Sequence, residues 1–71
     1  MFDLSVRRAD QVRRYFIQAV APSGWEVGLE ENYQLRRKDL YQDWHRVERA
    51  LALFEREVAM LCSEGWSEVQ V

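Results

Sequence analysis

The stretch VRRYFIQAV, residues 12–20, decides the fold, because it fits one face of a helix and also an alternating strand. On a helical wheel Val6, Ala9, Val12, Phe16, Ile17, Ala19 and Val20 fall on one side, with only Arg13 intruding. Ser5 could cap such a helix, with Leu4 and Ala9 as its staple. That alternative gives an α-β-β-α chain with residues 5–20 helical. The strand reading is preferred because of the two turns downstream of the stretch.

If PSG, residues 22–24, is a three-residue hairpin loop with Gly24 in the left-handed position, Ala21 pairs with Trp25, Ala19 with Val27 and Ile17 with Leu29. The same loop length at EEN, residues 30–32, with Asn32 left-handed, pairs Leu29 with Tyr33, Val27 with Leu35 and Trp25 with Arg37. One face stays mostly apolar: Tyr15, Ile17, Ala19, Trp25, Val27, Leu29, Tyr33 and Leu35. On the other face Glu26 lies across from Arg36, Gly28 from Gln34 and Gln18, and Glu30 from Phe16. Turn chemistry and alternation agree on a three-stranded antiparallel meander, about 12–21, 25–30 and 33–39.

Beyond the meander, DWHRVERALALFEREVAMLC repeats Trp44, Val47, Leu51, Phe54, Val58 and Leu61 at spacings of 3, 4, 3, 4 and 3. Such spacing draws one stripe along a helix of about residues 43–64. Asp43 stands at the N-cap, Gly65 suits the left-handed residue after the last turn, and Trp66 is placed to fold back onto that turn. The helix would cover the apolar sheet face, giving a two-layer α+β domain over residues 1–71. Phe2, Leu4 and Val6 alternate like a short strand, while WSEVQV at the end reads as a strand or a frayed tail.

The sequence of elements is similar in outline to WGR domains: a strand with aromatics and IQ, a GW turn, two further strands, then RALALFEREVAMLCSEGW, over most of residues 13–66. The Trp-Gly-Arg signature is absent, and no residue role is carried over.

Seventy-one residues with nine aromatics and 48% apolar composition make one small globule, near the lower limit for folding alone. A single cysteine, Cys62, leaves no internal disulfide and fits a reducing compartment. The start carries no secretory pattern and no apolar run is long enough to span a bilayer, so a cytoplasmic protein without membrane contact is expected. Residues 1–38 carry seven Arg and Lys against five Asp and Glu, residues 39–71 three against seven.

Catalytic sets are scarce. Asp43 and His45 are two apart on a helix and do not face each other. The serines read as cap, turn and tail residues, and Cys62 lies near a helix C-terminus, where the dipole disfavours a thiolate. No Cys/His spacing suits a metal, and no cofactor motif is present, so a non-enzyme is expected. The apolar arc of the helix is widened by Leu53 and Met60, and Phe16 and Val20 point away from the covered sheet face. These four residues form the candidate interface of a small interaction module, expected to self-associate as a dimer or to bind another protein. The alternative is a weak single-stranded nucleic-acid binder using Arg14, Phe16, Arg36 and Lys38 on the outward sheet face.

Overall fold

The computed structural model describes residues 2–69. The chain runs β1 (Phe2–Arg8), β2 (Gln11–Ala19), β3 (Trp25–Glu31), β4 (Gln34–Tyr41), α1 (Trp44–Ser63) and β5 (Ser67–Val69). The class is α+β as expected, but the sheet is larger than a three-stranded meander: five antiparallel strands in the order β4-β3-β2-β1-β5. The helical alternative for residues 5–20 is excluded, because this segment forms parts of β1 and β2 and the turn between them.

The additional strands come from the two ends. Phe2, Leu4 and Val6 alternate toward the helix, with Val6 fully buried and the other two packed against the core. β1 pairs along its whole length with β2, Phe2 opposite Ile17 and Arg8 opposite Gln11. β5 adds to the free side of β1, with Val6 opposite Glu68. Gln70 and Val71, the last residues of WSEVQV, lie outside the described residues.

Both hairpin registers differ from the expected ones. Across β2 and β3 Ala19 faces Trp25, Ile17 faces Val27 and Tyr15 faces Leu29, a slide of two residues. The loop is five residues, 20–24, closed by a Val20 N–H to Gly24 carbonyl bond of 3.1 Å. A slide of two preserves which face each side chain occupies, so alternation could not separate the two registers. At the next hairpin β3 continues to Glu31, and the turn is only Asn32-Tyr33, both left-handed with φ of 52° and 67°. Two such residues make the primed turn that suits strand twist. Asn32 is held twice: its N–H donates to Val12 O at 2.7 Å and its Oδ1 accepts from Val12 N–H at 3.0 Å.

β4 then carries a bulge. Leu29 faces Arg37 while Glu30 faces Leu35, so Arg36 is the extra residue. The consequence corrects the expected apolar face: Leu35 turns to the outward side, Tyr33 sits in the turn, and both are exposed. Outward, Glu26 lies opposite Leu40 and Gln18, and Gly28 opposite Lys38 and Phe16.

α1 forms where its sequence places it, though Trp44, first of the stripe and expected in the core, stays 44% exposed beside Trp25. Asp43 Oδ1 accepts from His45 N–H at 3.0 Å, which satisfies one free donor of the first turn. At the other end Trp66 N–H bonds Leu61 O at 3.0 Å and Gly65 N–H bonds Cys62 O at 3.3 Å, with Gly65 at φ 101°. This paired arrangement is the Schellman stop, and its usual apolar contact is present because Trp66 and Leu61 share one core cluster. That cluster also holds Val6, Tyr15 and Val58; a second joins Ile17, Val27 and Val47. Phe2 and Phe54 pack against both, their rings 6.3 Å apart.

Candidate functional site

A helix about 10 Å across covers two or three strands spaced about 4.8 Å apart. One helix therefore leaves part of a five-stranded sheet bare. The buried residues of α1 pack mainly on β1, β2 and β3; β4 reaches that packing through Tyr41, which with Asp39 is half-buried, while the rest of the strand is exposed. β4 thus stands out beyond the helix, and beneath it lies a groove of about 320 Å³.

The groove has an apolar side and a charged side. Val27 from the sheet and Ala50, Leu53 and Phe54 from α1 provide the first. Arg46, Arg49 and Glu57 from α1 and Arg37, Asp39 and Tyr41 from β4 provide the second. Arg37 Nε donates to Asp39 Oδ2 at 2.9 Å, and this bond raises the Arg37 pKa. Arg46 and Arg49 form no ion pair among the described residues. Leu53 is 54% exposed and Met60, two helical turns on, 58%. A smaller apolar hollow of about 200 Å³ opens on the opposite flank of α1, between Ile17, Trp44 and Leu51, and holds no cation.

The outward sheet face is differently organised. The Phe16 ring lies over Gly28, where a Cβ would run into it, and Phe16 is only 5% exposed. The Arg14 guanidinium covers the ring at 4.7 Å from its centroid. Arg14 also bonds Asp3 in a two-pronged pair, at 2.9 and 2.8 Å, and Glu30 at 3.2 Å. The bond to Arg14 lowers the Asp3 pKa, and the carboxylates in turn raise that of Arg14. Arg14 is therefore engaged, and Phe16 offers no open face for a base to stack on. Arg36 sits in the bulge 4.0 Å from Glu31, and Lys38, opposite Gly28, forms no ion pair among the described residues.

The structure therefore separates the four residues grouped from the sequence as an interface. Leu53 and Met60 share one exposed flank of α1; Phe16 is covered; Val20 is half-buried at the start of the β2–β3 loop. What sequence reading missed is the charged half of the groove. Arg46, Arg49, Leu53, Glu57 and Met60 follow spacings of 3, 4, 4 and 3, a second line along the helix that was there to find. The uncovered edge of β4 could not be found that way, since it depends on how many strands share one helix.

Among the described residues no cluster of three or more His, Cys, Asp or Glu side chains could hold a metal ion, and no helix is long and apolar enough to cross a membrane. Compared with known protein families, with curated proteins and with solved structures, the chain matches none.

Proposed function

We propose that this chain is an interaction module that works by binding another polypeptide, without catalysis, in the groove between β4 and α1. The observation that carries the reading is the uncovered fourth strand beside a helix flank that exposes Leu53 and Met60. A small domain gains by burying such side chains in its own core. Large apolar residues left in the open beside a groove mark a surface that another molecule covers. Apolar centre and charged margin are the composition of a protein–protein contact.

Panning a random dodecapeptide library against the protein and against its Leu53→Glu variant tests this. Leu53 is exposed, so the variant keeps the fold. A family of peptides enriched on the native chain and lost on the variant is expected. Equal enrichment on both, or none, would overturn the reading.

Self-association is a second reading, favoured by the same exposure of Leu53 and Met60. Solution mass measured over a tenfold concentration range checks it. A dimer that persists on dilution and dissolves on Met60→Glu would establish it, and a monomer throughout would remove it.

A further inference from the structure

We propose that the groove takes an extended, carboxylate-rich segment of another protein, which adds to the open edge of β4 as a further strand. The proposal rests on the groove being the interaction surface and names what that surface selects.

β4 is eight residues long and has β3 on one side only. Along such an edge alternate N–H and C=O groups point outward without a strand to pair them. The opposite edge strand, β5, spans three of the described residues. An incoming strand would lay alternate side chains toward the groove and the others beside the outward face of the sheet.

Charge decides the chemistry of that strand. Within β4 Arg36, Arg37 and Lys38 stand against Asp39, a net of +2. Across the groove Arg46 and Arg49 stand against Glu57, and with Glu31 beside Arg36 the site is left at +2 on a chain whose total is −2. A second copy offering the same edge would set +2 against +2, and a two-fold pairing centred on Lys38 would place the two lysines face to face, offset by Arg37 opposite Asp39 on either side. The charges that guard the edge against self-pairing thus admit an acidic strand.

Register refines the pattern. Opposite residues of an antiparallel pair share a face, so consecutive carboxylates belong opposite Arg37 and Lys38. Apolar side chains belong opposite Leu40 and Tyr41 at one end and Leu35 at the other. Two adjacent acids flanked by aliphatic residues is the expected core, and a nucleic acid, though also anionic, has no backbone that can pair with β4.

Binding of a labelled dodecapeptide with a Glu-Glu core between valine and leucine flanks, followed by fluorescence anisotropy, tests this directly. Three companions serve as probes: the same peptide with Lys-Lys, the acidic peptide N-methylated at alternate residues in either of the two phases, and an oligodeoxythymidylate of twelve nucleotides. The acidic peptide is expected to bind at least tenfold more tightly than the lysine form. One N-methyl phase should abolish binding and the other spare it. Arg49→Glu with Lys38→Glu should weaken the acidic peptide tenfold or more and improve the lysine one.

Equal binding of both N-methyl phases would overturn strand addition, and equal binding of the lysine form would overturn the charge assignment. Tighter binding of the oligonucleotide than of the acidic peptide would overturn the choice of partner. A panned, Leu53-dependent peptide family that is basic or helical would retire the acidic strand and keep the groove. Absence of any Leu53-dependent family would retire both.

Discussion

At the scale of single residues the most informative contact is Phe16 on Gly28. Glycine in a strand interior is usually a weak point, lacking a side chain to pack, but here its bareness is what lets the far end of the aromatic ring sit over the neighbouring strand. Gly28→Ala should therefore destabilise by about 1–3 kcal/mol, the range for overpacking, read by urea unfolding. In a Phe16→Ala background the same change should be tolerated, and an undiminished penalty there would show that the ring is not the obstacle. Arg14 above the ring gives a pH signature. The folded pKa of Asp3 lies below its ordinary 3.8, so the stabilisation is full above that value and is lost as pH falls through the lower folded one. Both partners are partly exposed, and such pairs contribute about 0.2–1 kcal/mol. Asp3→Asn should lose that amount at pH 7, and its difference from the native chain should shrink as pH falls through the lowered folded pKa. Tyr15 poses the opposite case. Its ring is fully buried, its hydroxyl has no partner at hydrogen-bonding geometry although Arg13 and Glu57 are its polar neighbours, and burial raises its pKa. A buried hydroxyl without a partner carries a desolvation penalty of about 1–3 kcal/mol. Tyr15→Phe should thus be neutral or stabilising in thermal unfolding, and a loss above about 1 kcal/mol would show that the hydroxyl is bonded after all.

At the scale of elements, legibility followed locality. Asp43, the 3-4-3 stripe and the Gly65-Trp66 stop are all signals within a few residues, and α1 forms where they place it. Asp43→Ala should accordingly cost about 1 kcal/mol, the usual worth of an N-cap, measurable as a lowered urea midpoint with the slope unchanged. β2 and β3 were legible as strands, and their inward residues as a face, but the register was not. Sliding by two leaves every side chain on its own side, and only the length of the Val20–Gly24 loop separates the alternatives. Leu35 was misplaced for a different reason. A bulge inserts one residue and reverses the parity of all that lies beyond it, and nothing in the run QLRRKDLY announces it. β1 was visible only as the alternation of Phe2, Leu4 and Val6. Its identity as a strand is secured by β2 and by the distant β5, partners more than 60 residues apart in sequence at Ser5 and Val69. Among the residues of the groove, Leu53 and Met60 could be singled out because they widen an otherwise regular stripe. Arg46 and Arg49 look like ordinary solvated charge until β4 is set opposite them.

The molecule as a whole is one helix on five strands, and its surface reflects that mismatch. Strands β1 to β3 supply most of the core under the helix; β4 joins it only through Tyr41 and otherwise extends past it, with Lys38 between exposed Leu35 and Leu40 on its outward face and a long free edge. The outward sheet face is closed by its own ion pairs around Arg14, which moves the candidate binding surface from the broad face of the sheet to its margin. An electrostatic component to binding there should show as affinity that falls with salt, since exposed charges are screened within about 8 Å at physiological ionic strength. The most direct single measurement is amide hydrogen exchange along residues 34–41, with and without the Glu-Glu peptide. Alternate amides of β4, those turned away from β3, should exchange fast in the free chain and become protected when the peptide is added, while the amides of β5 at the other edge stay unchanged. Protection confined to the helix, or spread evenly over both edges, would contradict an acidic strand pairing with β4.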